Sequence, residues 1–291
     1  MSREVLLQKV GSVQGMLTSV TERVDQELLD AAPALRVVAQ YGVGYDNIDV
    51  DACTRRGVVV CNTPGVLADT TADLTWSLIL SAARRIGEAI DHVKQGRWAA
   101  WSPSVLLGAD VHHRTLGIVG MGAIGWQVAR RALGFDMRVL YYSAHRHQER
   151  EAQAPLTYVD LESLLQQSDF VSVHAALTPA TRHMFSSKQF ELMKPSAYLI
   201  NVARGGLVDQ HALLEACRDG QIAGAAMDVT DPEPMSVDDA LLQLPNVTVV
   251  PHVGSSTVAT RIRMGTLASE NIVAVLSGAP PPTPLNAPPR P

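Results

Sequence analysis

Short runs rich in β-branched residues alternate along the chain with longer stretches whose apolar positions recur every three or four residues. That is the pattern of strands alternating with helices. Between residues 116 and 252 six runs read as strands: "LGIVG" (116–120), "RVLYY" (138–142), "FVSVH" (170–174), "YLINV" (198–202), "AGAAMDV" (223–229) and "VTVVP" (247–251). Helical patterns separate the first five, "GAIGWQVARRAL", "DLESLLQQS", "SSKQFELMK" and "DQHALLEACRDG", with Asp160 and Asp209 placed as N-caps. This order predicts α/β architecture around a parallel sheet, and six strands wound this way make a complete Rossmann domain.

A smaller set of strands comes first, "VQGMLT", "LRVVAQ" and "VVVC", followed by a helical stretch over about 70–96. A long helical pattern, "SSTVATRIRMGTLASENIVAVLSG", comes last, before the tail "APPPTPLNAPPRP". Proline lacks an N–H and fixes φ, so the tail reads as an extended segment lying on a surface. The expected layout is a dinucleotide-binding domain over 67–256, inserted in a smaller α/β domain made of 1–66 and a return at 257–291.

Composition narrows the classes. With 291 residues, 46% of them hydrophobic, the chain has room for two cores and is no disordered segment. A net charge of −5, without a basic cluster interleaved with aromatics, argues against nucleic acid as a partner. Cys53, Cys61 and Cys217 are scattered and form no CxxC pair, which favours a reducing cytoplasm over a disulfide framework or a zinc site. The segment "MSREVLLQKV" has no apolar run of signal-peptide type, and "LTWSLILSAARR" is too short to span a bilayer, so no membrane is expected. His145 and His147 form an HxH without a third ligand, and no metal is expected either.

The segment "GIVGMGAIGWQVARR" carries Gly120, Gly122 and Gly125 as a GxGxxG that follows a strand and opens a helix, with Ala123 and Ile124 at the turn. A bare GxGxxG is weak; in this context it predicts a dinucleotide site. The first glycine permits the tight turn, the second lets backbone approach a pyrophosphate, and the third lets helix and strand pack closely. The helix N-terminus would offer N–H groups and a positive dipole end to phosphate.

The next strand ends 23 residues on, where such folds place an acid for the adenosine ribose; here stand Ser143, Ala144, His145, Arg146 and His147. A turn without a carboxylate does not repel a 2′-phosphate, and Ser143, His145 and Arg146 can contact one. NADP(H) is therefore favoured, with NAD open if the turn is merely a solvated polar one.

Ligands in open α/β sheets bind beyond the carboxyl ends of the strands. Three ionisable residues fall there: Arg204 in "LINVARGG", Glu233 in "MDVTDPEPM" and His252 in "VVPHVGSS". An arginine fork can hold a carboxylate, a histidine can protonate a carbonyl oxygen, and a glutamate on the other ring nitrogen would orient that histidine. Singly, a loop arginine is an ordinary surface charge and "DPEP" is turn chemistry; together they supply the parts of a 2-oxo acid reduction.

These segments, with "YGVGYDNIDVDACTRRGVVVCNTPGV", "ALTPATRHMF", "NVARGGLVD" and "PHVGSST", resemble the D-isomer-specific 2-hydroxyacid dehydrogenase family, and within it most the glyoxylate/hydroxypyruvate reductases. The resemblance runs over about residues 10–285. It implies a Rossmann domain inserted in a flavodoxin-like substrate domain, a homodimer, and Arg204, Glu233 and His252 as the catalytic trio. It implies substrate-carboxylate binding by the N–H groups of Val43 and Gly44 beside Arg204, contact of Asp228 with the nicotinamide carboxamide, and a cofactor site lined by Ala176, Val202 and Gly254. Family members also begin with a strand and helix ahead of the segment matching "SREVLLQKVGSVQGM", so the smaller domain is expected to lack its first strand. The implied reaction is NADPH-dependent reduction of glyoxylate or hydroxypyruvate. Two alternatives stand beside it: a phosphoglycerate or other D-2-hydroxyacid dehydrogenase using NAD, and a nucleotide-sensing binding module of corepressor type.

Overall fold

The computed structural model describes residues 2–287. They form two compact units, one from the residues up to Leu67 together with those from Ser255 onward, the other Ala68–Gly254.

The first unit begins with α1 (Arg3–Lys9), β1 (Gly15–Thr18), α2 (Gln26–Ala31), β2 (Val37–Gln40), α3 (Val50–Arg55) and β3 (Val59–Cys61). The strands are parallel in the order β1-β2-β3. All four residues of β2 are buried, as a strand covered on both faces requires. Asp25 and Asp49 cap α2 and α3 by accepting from Leu28 N and Ala52 N at 3.2 and 2.8 Å. β1 ends the strand order, and its Leu17 is 53% exposed.

The second unit runs α4 (Ala68–Ala83), α5 (Ile86–Lys94), β4 (Thr115–Val119), α6 (Ala123–Ala132), β5 (Arg138–Tyr142), α7 (Gln148–Glu151) and β6 (Leu156–Tyr158). It continues α8 (Leu161–Gln167), β7 (Phe170–Val173), α9 (Ser187–Leu192), β8 (Tyr198–Asn201), α10 (Gln210–Arg218), β9 (Gly224–Met227) and β10 (Val247–Val249). The sheet is parallel throughout, in the order β10-β9-β8-β7-β4-β5-β6. The chain enters at β4, winds outward to β6, then crosses back to β7, so the direction of winding reverses between β4 and β7. That reversal opens a crevice at the carboxyl ends of the strands. Two apolar layers cover the sheet: Trp76, Ile79, Val128 and Ala132 from α4 and α6 belong to one, Leu164, Phe190 and Leu213 from α8, α9 and α10 to the other.

The chain then returns to the first unit in α11 (Val258–Leu276). The tail is extended, as its prolines predict, and lies along β3: Pro284 pairs with Cys61, and Leu285 N donates to Val60 O at 2.7 Å. The remainder of the predicted tail, 288–291, lies outside the described residues.

Two expectations are corrected. The larger sheet has a seventh strand, β6, whose three residues include one buried side chain, too short a pattern to read. The helical stretch over 70–96 is two helices, broken where Arg85 takes a left-handed conformation (φ 52°) and forks onto Glu88 at 2.8 and 2.7 Å. Asp160 and Asp209 cap α8 and α10, accepting from Ser163 N at 2.8 Å and from His211 N and Ala212 N at 3.1 and 3.2 Å.

Candidate active site

The glycine loop joins β4 to α6 at the point where the winding reverses. Gly120 has φ +99°, and a Cβ there would lie 2.5 Å from Ala175 N. A Cβ on Gly125 would lie 2.2 Å from Gly120 O, so helix and loop approach closer than any side chain allows. Over Gly122, the N-cap of α6, a Cβ would meet nothing within 4 Å. Trp126 N donates to Gly122 O at 3.0 Å, and the N–H groups of the turn before it have no intrahelical acceptor. An open face of backbone donors at the positive end of a helix fits a pyrophosphate. Ala123 is exposed there, while Ile124 is half-buried against the core.

The turn after β5 is more elaborate than its sequence. Ser143 is half-buried and His145 exposed. Arg146 is bound by Glu151: Nε lies 2.9 and 3.1 Å from the two carboxylate oxygens and Nη2 lies 2.8 Å from Oε2. Glu151 also accepts from Tyr141 Oη at 2.7 Å, and His147 N donates to that hydroxyl at 2.8 Å. Burial and the adjacent carboxylate push the Tyr141 phenol up to about 12, and the Arg146 and Tyr141 donors hold Glu151 below the usual carboxylate range. A carboxylate absent from the turn in sequence is thus brought to it from α7. Arg150, also on α7, donates to Gly122 O at 3.0 Å and to Met121 O, with its guanidinium 5.7 Å from the Trp126 ring centre. This cation lies on the glycine loop itself.

The ends of β8, β9 and β10 carry the second cluster. Arg204 follows β8, where the buried Asn201 fixes the backbone, accepting from Ala203 N at 3.1 Å and donating to Arg204 O at 2.9 Å. Past β9, Asp228 is 2% exposed and accepts from Val253 N and Gly254 N at 2.6 and 2.8 Å. Burial raises its carboxyl above the ordinary value despite those two bonds. His252 has φ 52° and its N–H donates to Asp228 O at 2.9 Å, so Asp228 holds both the backbone of His252 and the turn that follows it. Glu233 Oε1 lies 2.5 Å from His252 Nδ1. Nε2 of His252 is left as the nitrogen without a partner among the described residues. Burial works to raise the Glu233 carboxyl, but the bond to His252, that ring's positive charge, Thr230 N–H and the Arg204 charge together hold it below the ordinary value.

Of the other predicted residues, Val202 is buried just past β8, and Ala176 is exposed, its carbonyl accepting from Thr181 Oγ1 at 2.7 Å. His174, just past β7, has Nε2 2.8 Å from Ser172 Oγ and an Nδ1 buried without a partner among the described residues, and burial lowers the ring to about 3. Val43 and Gly44 belong to the first unit, in the loop after β2.

Comparison with known proteins places this arrangement. Residues 76–254 match the model of the D-isomer specific 2-hydroxyacid dehydrogenase NAD binding domain. The chain belongs to this family. A glyoxylate reductase of Korarchaeum cryptofilum is 49% identical over 98% of this chain and 86% of its own length. A solved protein of Thermus thermophilus is 44% identical, with a TM-score of 0.93 over 98% of this chain and 90% of its own. An NADPH-dependent glyoxylate/hydroxypyruvate reductase of Sinorhizobium meliloti, solved with NADP and malonate, is 34% identical with a TM-score of 0.87, over 98% of this chain and 86% of its own.

As a member of this dehydrogenase family the chain is an oxidoreductase with a Rossmann-type, NAD(P)-binding domain. No helix among its described residues is long and apolar enough to cross a membrane. The dehydrogenase site has supports that sequence reasoning missed. Arg150 and Glu151 reach back from α7, Asn201 sets the backbone before Arg204, and Gln210 accepts from Asp231 N at 2.7 Å to hold the segment leading to Glu233. None has a local spacing signal, because each meets its partner through the fold.

Proposed function

We propose that this protein is an NADPH-dependent reductase of small 2-oxo acids, with glyoxylate and hydroxypyruvate as substrates. The Glu233–His252 pair at 2.5 Å, within reach of the Arg204 charge, carries the reading. The bound nicotinamide cofactor supplies the hydride. Arg204 binds and orients the substrate carboxylate, assisted by the N–H groups of Val43 and Gly44. His252 gives a proton from Nε2 to the carbonyl oxygen, while Glu233 on Nδ1 fixes the orientation of the ring. Asp228 holds the backbone on which His252 rides and is assigned the nicotinamide carboxamide. Gly120, Gly122, Ala123, Ile124 and Gly125 take the pyrophosphate, and Ala176, Val202 and Gly254 line the cofactor site. The relatives named glyoxylate reductase, and the Sinorhizobium enzyme solved with NADP, support this choice.

Ser143, His145 and Arg146 are assigned the 2′-phosphate. The fork between Arg146 and Glu151 favours a second reading, in which the arginine is already neutralised and NADH serves as well. Initial rates of glyoxylate and hydroxypyruvate reduction with NADPH and NADH side by side decide between them. Turnover preferring NADPH supports the first reading, preference for NADH the second, and no turnover of either acid overturns both.

A homodimer is proposed through α5 and the loop after it, where the large apolar side chains Ile86, Ile90, Val93, Trp98, Trp101 and Leu107 are exposed within one stretch of chain. Sedimentation of the protein as a monomer at micromolar concentration would refute it. A cytoplasmic location fits the three free, buried cysteines.

A further inference from the structure

Three successive carbonyls of the loop after β2 are each taken by a donor from within the first unit. Thr63 N donates to Gly42 O at 3.0 Å, Asn62 Nδ2 to Val43 O at 2.8 Å, and Gln40 Nε2 to Gly44 O at 3.0 Å. The donors are buried, with Gln40 and Thr63 at 0% and Asn62 at 6% exposure, whereas Val43 and Tyr45 are 37% and 44% exposed. In a planar trans peptide the C=O and the following N–H point in opposite directions. Fixing these carbonyls inward therefore turns the N–H groups of Val43, Gly44 and Tyr45 to the opposite side. None of the three donates to another described residue.

Two of the supports have other anchors. Thr63 donates from its own backbone, and Gln40 also donates to Asn47 Oδ1 at 3.0 Å. The middle peptide rests on the Asn62 side chain. Asn62 is held in turn by Thr283: its carbonyl accepts from Thr283 Oγ1 at 2.6 Å. Asn271 clasps Thr283 from α11, donating Nδ2 to Thr283 Oγ1 at 2.8 Å and accepting from Thr283 N at 3.0 Å. Asn271 is 0% exposed. A buried asparagine inside a helix is unfavourable unless its amide is fully used, and here both ends are.

We infer that Asn62, locked by the Thr283–Asn271 clasp, is a positioning residue that sets the 42–45 loop with its N–H groups outward, and so sets the affinity for the substrate carboxylate. The inference rests on the proposed binding of that carboxylate by Val43 and Gly44. Without the Asn62 amide the middle peptide is free to turn, and the N–H of Gly44 no longer holds its direction before substrate arrives. Arg204, His252 and the glycine loop belong to the other unit.

The test compares steady-state kinetics of wild type, Asn62→Ala, Thr283→Val and Thr283→Ser, with NADPH binding and the thermal midpoint as controls. The probes are glyoxylate and glycolaldehyde, which lacks the carboxylate. Asn62→Ala is expected to raise KM for glyoxylate about tenfold, the scale of one hydrogen bond, with kcat changed less than about threefold. KM for glycolaldehyde should stay put, so the preference for the acid narrows by the same factor. Thr283→Val should shift KM the same way, and Thr283→Ser, which keeps the hydroxyl, should restore it; this pair carries the test if Asn62→Ala does not fold. A folded Asn62→Ala enzyme with unchanged KM for glyoxylate, or an equal rise for both substrates, overturns the inference alone. A wild type that shows no saturation by glyoxylate overturns the carboxylate reading of the loop, and the inference with it.

Discussion

Glu233 meets His252 at Nδ1, 2.5 Å away, while Asp228 holds the same histidine through its backbone. The side chain is thus oriented by the Glu233 carboxylate and the main chain by the backbone carbonyl of Asp228, whose own carboxylate holds the next two N–H groups. The two acids are tuned in opposite directions. Burial raises Asp228, whereas the bond to His252, its charge and that of Arg204 hold Glu233 below the ordinary value against its own burial.

Replacing Glu233 by Gln keeps the shape of the pair and removes its charge. The exchange is expected to lower kcat for glyoxylate reduction roughly 10²-fold, with NADPH affinity unchanged by titration. An equal loss of cofactor binding would mean that Glu233 acts on the cofactor site instead.

The same pairing links stability to acidity. A carboxylate whose folded value lies below its unfolded value of about 4.3 stabilises the fold fully above that value and loses the contribution as pH falls through the folded one. The thermal midpoints of wild type and Glu233→Gln should therefore differ by a constant amount near pH 5–6, and the difference should begin to shrink as pH falls below about 4. A difference that does not shrink at all with acidity would show that the variant acts by packing.

Arg146 and Glu151 set the cofactor preference in this account. Glu151→Gln frees the guanidinium and should lower KM for NADPH relative to NADH several-fold, while Arg146→Ala should raise it. The Tyr141 hydroxyl keeps a bonding partner in the glutamine variant, so the turn stays ordered. Identical cofactor ratios in both variants and wild type would remove Arg146 from the phosphate site.

The sheet and the glycine loop were legible because buried parallel strands read as continuous apolar runs, and because Gly120 and Gly125 answer to close approaches that no other residue permits. Arg204, Glu233 and His252 were legible as ionisable residues at strand ends. β6 was not, since only Leu156 of its three residues is buried, nor was the break at Arg85, where nothing in the apolar pattern changes. The turn after β5 was read as free of carboxylate because Glu151 returns to it from a separate helix. Asn62 stood in a recognisable segment, but its work on Val43 appears only once Thr283 and Asn271 are folded around it.

The central claim is that His252 delivers the proton. Single-turnover and steady-state reduction of glyoxylate by His252→Gln, with NADPH affinity measured on the same preparation, tests it most directly. The expected result is a kcat lower by about 10²–10⁴-fold with NADPH affinity within about twofold of wild type. A variant that binds NADPH normally and turns over within about threefold of wild type would contradict the claim and leave the Glu233–His252 pair as a structural contact.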